Sequence, residues 1–305
     1  MPVSKTSEPL ILLLATGTFL GLNFPLGKLA GAAGIQPAVW TLLISTGCAL
    51  VIGAVLALKR EAFPLTPPYL RFYAIGGAIS YAIPNFLVYL TIPHLGSGYA
   101  SIMFTLSPII TTILATALNA RRPNLLGVTG ILIGFVGAML IVLGKGRVGD
   151  ASSLWIGIGF LIPLSLAVGN VYRTLDWPPN ARPLPLAVGT NLASSLVVSA
   201  ALLLANGELG LTSLAEAPLL SVIQVAASAA MFAVFFRLQM AGGPVYLSQI
   251  GYVGAAVGLG SGTFFLGEHY DLLTWLGAVV IAVGVIVTTI AQRAPSTAPS
   301  SVGKS

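Results

Sequence analysis

The stretch "RRPNLLGVTGILIGFVGAMLIV", residues 121–142, returns later in the chain as "DLLTWLGAVVIAVGVIVTT", residues 271–289. Gly134 in the first copy aligns with Gly284 in the second, at an offset of 150 residues. Both copies are apolar on every side of a helix, which is typical of a helical membrane span and not of the alternating pattern of a barrel strand. The sequence therefore predicts an all-α integral membrane protein with an internal repeat.

The composition of the 305-residue chain agrees with this interpretation. Hydrophobic residues make up 56% of the chain and charged residues only 7%, whereas about a quarter of the residues in a soluble domain are charged. A helix needs about 20 apolar residues to cross a bilayer, and the sequence predicts ten such spans. They are residues 9–30, 37–58, 69–92, 96–119, 124–143, 154–173, 184–205, 217–237, 244–266 and 272–291.

The basic residues predict the orientation of these spans, because lysine and arginine gather on the cytoplasmic side of membrane helices. With the N-terminus inside, only Lys28, Lys145 and Arg147 fall outside. The inner residues are Lys5, Lys59, Arg60, Arg71, Arg121, Arg122, Arg173, Arg182, Arg237, Arg293 and Lys304. Both termini are therefore expected in the cytoplasm, and the net charge of +6 is interpreted as a signal of topology, not of nucleic-acid binding.

Five spans in each half would place the second copy upside down relative to the first, as two inverted five-helix repeats. The expected units are a first repeat at residues 1–150, a second at 151–291 and a disordered cytoplasmic tail at 292–305. The acidic segment around Glu268 and Asp271 then corresponds to the basic turn at residues 118–124. It is interpreted as an interfacial turn and not as a catalytic site. The spans contain no His-Glu-x-x-His pair and no serine with a histidine in reach, so we expect no enzyme, no metal and no cofactor.

Several motifs carry a resemblance to a known family. The last helix of each half is rich in glycine, a glutamate closes the ninth span in "LGEH", residues 266–269, and "GNVYRTLDWP" occupies residues 169–178. The chain resembles the ten-helix, two-EamA-repeat branch of the drug/metabolite transporter superfamily. With "PLPLAVGTNL", residues 183–192, it is most similar to the YddG group of aromatic amino acid exporters. The resemblance implies a monomeric carrier in the bacterial inner membrane that exports aromatic and other apolar amino acids by alternating access.

Polar and aromatic residues inside the spans are the candidate substrate contacts, because carriers built from inverted repeats bind near the membrane midplane. Tyr81 and Asn85, for example, share one helix face. The candidate cavity residues are Tyr81, Asn85, Tyr99, Met103, Tyr246, Gln249, Tyr252, Asn23 and Asn191. Hydrogen bonding between helices is an equally open interpretation of such residues. The candidate hinges, where proline or glycine can interrupt a helix, are Pro25, Pro84, Pro108 and Gly258.

Charged residues are missing from the predicted spans, except within a turn of their ends. Uncharged hydrogen-bonding groups suit an amino acid zwitterion, since a buried fixed charge demands a counter-ion. We therefore expect facilitated export without a dedicated proton carboxylate. The alternative is a multidrug or lipid transporter of the same superfamily. A nucleotide-sugar or phosphate substrate is disfavoured, because it would call for buried arginine or lysine.

Overall fold

The computed structural model describes residues 8–118, 125–144, 153–266 and 271–293, and every regular element within them is helical. The elements are α1 (Glu8–Ala32), α2 (Pro37–Leu58), α3 (Pro67–Gly77), a π-helical turn (Ala78–Ala82), α4 (Ile83–Ala117), α5 (Leu125–Gly144), α6 (Ser153–Leu175), α7 (Pro183–Asn206), a 3₁₀ turn (Leu211–Glu216), α8 (Pro218–Ser248), α9 (Ile250–Leu266) and α10 (Leu272–Arg293).

The described helices are those of a multi-span membrane protein. Six segments are long and apolar enough to cross a membrane, judged by length and composition, and four shorter apolar helices accompany them. The six are Glu8–Ala32, Pro37–Leu58, Pro67–His94, Gly157–Leu175, Pro183–Asn206 and Pro218–Pro244. The count of ten spans and the orientation of the termini stay predictions.

Prolines and glycines set many of the helix ends. Proline begins α2, α3, α7 and α8, where its missing N–H costs nothing because the first N–H groups of a helix have no partner within it. Gly207 follows α7 in the left-handed conformation, with φ 76°, which closes a helix without a Cβ clash. The break between the predicted spans 217–237 and 244–266 is found at Gly243, whose φ of 70° and ψ of −174° lie outside the helical region.

The two halves of α4 lie side by side, although its helical assignment runs over 35 residues. The Tyr89 ring fills the space beside Gly27 of α1, and Phe104 contacts Phe24 of α1 edge-on with ring centroids 5.3 Å apart. Gly27 and Phe24 are about one turn apart, whereas a straight helix would separate Tyr89 from Phe104 by about 22 Å. The chain therefore reverses direction between Tyr89 and Phe104, where the sequence predicted a turn between two spans.

Helices α5 and α10 cross closely through glycine. A Cβ atom on Gly284 would lie only 2.5 Å from the backbone nitrogen of Gly134, so neither position has room for a side chain. Farther along, Gly137 lies against Ile281, and Gly130 lies against Thr288. The residue number rises on one helix as it falls on the other, so the two helices are antiparallel. Close approach through small residues is a common way for membrane helices to associate.

Helices α2 and α7 also pair residues at the offset of the repeat. The Ser45 hydroxyl hydrogen-bonds to that of Ser194 at 2.8 Å, and each is 149 residues from the other. Thr46 and Ser195 repeat this arrangement at 2.7 Å. Residues that contact their own counterparts are expected beside a two-fold axis, and the inverted arrangement of the two halves stays a prediction. The division of the chain at residue 150 lies outside the described residues and stays a prediction.

Candidate substrate cavity

A small cavity of about 50 Å³ lies at the centre of the bundle, between helices of both halves. Its walls come from α1, the π-helical turn and α4 in the first half and from α6, α8 and α9 in the second. The apolar part of the wall includes Leu20, Phe104, Leu166, Met231, Phe232 and Phe235. The polar part includes Ser80, Tyr81, Asn85, Ser107, Asn170 and Arg173. The cavity thus has an apolar side and a set of hydrogen-bonding groups.

Aromatic rings from α8 form one side of the cavity. Phe232 and Phe235 are three residues apart and share a face of the helix. Both contact Tyr81 edge-on, with ring centroids 4.8 Å and 6.0 Å from the tyrosine ring. Such edge-to-face pairs fix the orientation of the rings beyond what burial alone would do. The result is a firm aromatic surface against which an apolar group can pack.

Three hydroxyl groups in the wall are buried without a hydrogen-bond partner in the described part of the chain. They belong to Ser80, Tyr81 and Ser107. Ser80 and Tyr81 lie in the π-helical turn, a widened form of helix that is often found at functional sites. A buried hydroxyl without a partner costs free energy, so these groups favour an occupant of the cavity that can hydrogen-bond to them.

Arg173 is buried beside the cavity, with 2% of its surface exposed. Its Nε donates to Gln239 Oε1 at 2.9 Å and its Nη2 donates to Asn170 Oδ1 at 2.7 Å. The guanidinium carbon lies 5.0 Å from the ring centroid of Phe235 and 5.5 Å from that of Tyr81. The ion pairs among the described residues do not include Arg173. The protein therefore surrounds this cation with neutral groups.

The burial of Arg173 corrects the sequence analysis, which counted it among the residues of the inner side and found no charge in the spans beyond a turn from their ends. The predicted span ends at residue 173, but α6 continues to Leu175 and carries Arg173 in its last turn. Neighbouring helices then cover the side chain. The sequence analysis disfavoured anionic substrates because it found no buried arginine in the spans. The burial of Arg173 removes that objection.

Some predicted cavity residues do line the cavity. Tyr81, Asn85 and Pro84 are in its wall. Asn23 lies in an adjacent smaller cavity, where its Oδ1 accepts hydrogen bonds from Gln224 and from Ser228, the latter at 2.7 Å. The predicted contacts Tyr99 and Tyr246 have side chains outside the described part of the structure.

Other predicted residues are not among those that line the central cavity. Tyr252 is fully buried against Gly134 and its hydroxyl donates to the backbone oxygen of Ile131 at 3.1 Å. Asn191 donates to the backbone oxygen of Ala187 at 2.8 Å, and Met103 is buried. Gln249 lies between α8 and α9, and its buried side-chain amide has no partner among the described residues.

The remaining predictions concern hinges and the acidic turn. Pro25 and Pro108 lie inside α1 and α4, and Gly258 lies inside α9. Glu268 falls outside the described residues. Asp271 is exposed immediately before α10, and its backbone oxygen accepts a bond from the Trp275 N–H at 3.4 Å.

A polar cluster ties α3 to α6 at one end of the bundle. Arg71 Nε donates to Asp176 Oδ2 at 3.1 Å, and the Tyr172 hydroxyl donates to the same oxygen at 2.5 Å. Beside them Phe72 contacts Trp177 edge-on, with centroids 6.0 Å apart. These contacts hold α3 and α6 together where α3 begins and α6 ends.

Comparison with known proteins bears on the first half of the chain. Residues 8–143 match the EamA-like transporter family. The predicted EamA resemblance is confirmed for these residues, while membership of the YddG group stays a prediction. The matched stretch contains α1, the π-helical turn and α4, which form one side of the central cavity.

The whole chain has a known architecture. One solved crystal structure is similar to it with a TM-score of 0.72 and 18% identity, over 94% of this chain and 99% of the other. At that identity the likeness shows the fold alone. No curated protein matches the chain.

Proposed function

We propose that the protein is a carrier that exports amino acids with aromatic or other apolar side chains, by alternating access through the central cavity. The match of residues 8–143 to a transporter family supports transport as the activity. The observation that carries the choice of substrate is the composition of the cavity wall, in which aromatic rings face a group of buried polar side chains.

The chemistry of the cavity wall suits a small amphipathic molecule. The enclosed space of about 50 Å³ is smaller than the about 300–1,000 Å³ typical of small-molecule sites, so the helices around it would move apart to admit the substrate during alternating access. The side chain of the substrate would pack on Phe232, Phe235 and Met231. Its ammonium group would donate hydrogen bonds to hydroxyl oxygens such as those of Tyr81 and Ser107. The wall thus offers matching groups to both ends of an apolar amino acid.

The wall also supports transport without a dedicated proton carrier. None of the described residues that line the cavity is aspartate or glutamate, the residues that commonly carry protons in membrane transporters. We therefore propose facilitated export down the substrate gradient, in a bacterial inner membrane. A hydrophobic cationic drug is a poorer fit, since it would meet the like charge of Arg173.

Uptake of labelled phenylalanine, tryptophan, methionine and threonine into liposomes that contain the purified protein tests this proposal. We expect uptake of the apolar amino acids that an imposed pH gradient does not drive above equilibrium. Phe235→Leu, which removes part of the aromatic wall, should raise the KM for phenylalanine several-fold. Phe160→Leu is the matched control, because Phe160 lies on α6 with 52% of its surface exposed and is not among the cavity residues.

The outcomes separate the competing interpretations. Absence of uptake for every amino acid, with transport of lipid or cationic dyes, would replace amino acid export by the multidrug or lipid alternative. Accumulation driven by the pH gradient would overturn facilitated export and leave the choice of substrate intact. Equal effects of Phe235→Leu and Phe160→Leu would mean that the substrate does not pass through this cavity.

A further inference from the structure

We infer that Arg173 binds the carboxylate of the transported molecule, so that the carrier requires a monocarboxylate group on its substrate. This inference rests on the proposed function and deepens it, because it names the charged group that the cavity recognises. The sequence gives the opposite expectation of an uncharged site. The open donors of Arg173, the neutral groups around it and the number of cations in the cavity wall support the inference.

The guanidinium group has donors left for a ligand. Among the described residues, one hydrogen bond is accepted from Nε and one from Nη2. Nη1 and the second hydrogen of Nη2 have no acceptor among those contacts, and Arg173 lines the cavity. Two parallel N–H groups on a planar fork match the two oxygens of a carboxylate. The open side of Arg173 therefore presents a site for one carboxylate.

The neighbours hold the cation in place without neutralising it. Gln239 and Asn170 contribute amide oxygens, and the rings of Phe235 and Tyr81 lie close to the guanidinium group. Hydrogen bonds and ring contacts fix its orientation before a ligand arrives, which reduces the entropy that binding must overcome. A buried charge that lacks an anionic partner is costly. A carboxylate would lower that cost each time the cavity fills.

The cavity offers one positive charge and so suits a monoanion. Arg173 is the only lysine or arginine among the described residues of its wall. A phosphate dianion or a diphosphate would call for more than one cation or for many N–H donors. The single arginine favours a carboxylate.

A ligand series on the unaltered protein provides the first test. Phenylalanine, 3-phenylpropionate, phenylalaninamide and phenyl phosphate share one ring and differ in their polar groups. Each is added as an unlabelled competitor of phenylalanine uptake in liposomes, and its binding is measured separately by thermal stabilisation of the protein in detergent. We expect 3-phenylpropionate to compete and to stabilise, and phenylalaninamide and phenyl phosphate to be at least about ten-fold weaker.

Variants then assign the effect to one residue. Arg173→Met should weaken the binding of 3-phenylpropionate about ten-fold or more. Arg173→Lys keeps the charge but loses the planar pair of N–H groups, so its affinity should lie between that of the unaltered protein and that of Arg173→Met. Arg182→Met is the matched control, since the Arg182 side chain is 71% exposed and its nearest carboxylate oxygen, on Glu61, is 3.8 Å away. If Arg173→Met does not fold, the ligand series on the unaltered protein still decides the question.

The result that overturns the inference differs from the one that overturns the proposed function. If phenylalaninamide inhibits phenylalanine uptake as strongly as 3-phenylpropionate does, a carboxylate site is excluded, whereas amino acid transport still holds. If 3-phenylpropionate stabilises the protein, Arg173→Met abolishes this effect and no amino acid is taken up, the carboxylate site holds and amino acids are rejected as the cargo. Tight binding of phenyl phosphate would replace the carboxylate by a phosphate.

Discussion

The α5–α10 crossing and the central cavity use the two halves of the chain in different ways. At the crossing, Gly134 and Gly284 are counterparts in the sequence and contact each other, so both halves contribute the same residue to one contact. Around the cavity, Asn23 of "GLNFPLGK", residues 21–28, and Asn170 of "AVGNVYR", residues 167–173, occupy similar motifs of the two halves but have different partners. Asn23 accepts from neutral side chains of α8, whereas Asn170 accepts from Arg173.

This difference separates the scaffold from the chemistry. A close contact between counterparts depends on shape. Glycine at the same position of both copies gives each helix the room that the contact needs. A binding site needs one constellation of groups, and a cation in both copies would place two like charges in one cavity. A single arginine among the described residues of the wall avoids that repulsion. We therefore expect substitutions at the crossing to alter stability and substitutions in the cavity to alter transport.

The largest loss of stability is expected from Gly284→Leu. A Cβ atom there would lie 2.5 Å from the backbone nitrogen of Gly134, and backbone cannot move aside as a flexible side chain can. The helices would have to separate, at a cost of about 3 kcal/mol or more. The midpoint of thermal unfolding in detergent measures this loss.

Gly260→Leu is the control for that substitution. Gly260 is also a helical glycine in the second half, in α9, but a Cβ atom there would meet no atom within 4 Å. Leucine is a better helix former than glycine, so the unfolding midpoint should stay the same or rise slightly. Equal losses for Gly284→Leu and Gly260→Leu would show that the crossing is not the tight contact described above.

Sequence reasoning reached the scaffold more completely than the site. The glycine spacing and the prolines predicted helix ends and the break near Gly243 because these residues act locally on the backbone. The glycines that meet at the crossing also stood out as the aligned residues of the repeat. Local signals of this kind do not depend on which other helices lie nearby.

The cavity residues were harder to predict for two reasons. Phe232 and Phe235 lie in an apolar run, and an apolar residue that faces a cavity looks the same in sequence as one that faces lipid. Arg173 lies close enough to the end of α6 to resemble a loop residue, and only the packing of other helices shows that it is buried. Tyr81 and Asn85 stood out because a polar residue inside a span is uncommon and needs a reason.

A smaller effect on stability is expected from the loss of the Tyr252 hydroxyl, whereas the loss of the Tyr81 hydroxyl should affect transport. The Tyr252 hydroxyl donates to Ile131, so Tyr252→Phe leaves a buried carbonyl without that partner and should cost about 1 kcal/mol. The Tyr81 hydroxyl has no partner among the described residues, so Tyr81→Phe should leave the unfolding midpoint unchanged. It should instead raise the KM for phenylalanine several-fold. Reversal of these two results would move the substrate site from Tyr81 to Tyr252.

The smallest effect is expected at the α2–α7 contact, from the hydrogen bond between Ser45 and Ser194. Both hydroxyls are buried and lie 2.8 Å apart. Hydrogen bonds between membrane helices contribute about 0.6 kcal/mol on average, so the coupling in a double-mutant cycle of Ser45→Ala and Ser194→Ala should be of that order. Because the two serines are counterparts, each single substitution should shift the unfolding midpoint by a similar amount. Strongly unequal shifts would mean that the two serines do not occupy equivalent environments, and would argue against a two-fold axis between α2 and α7.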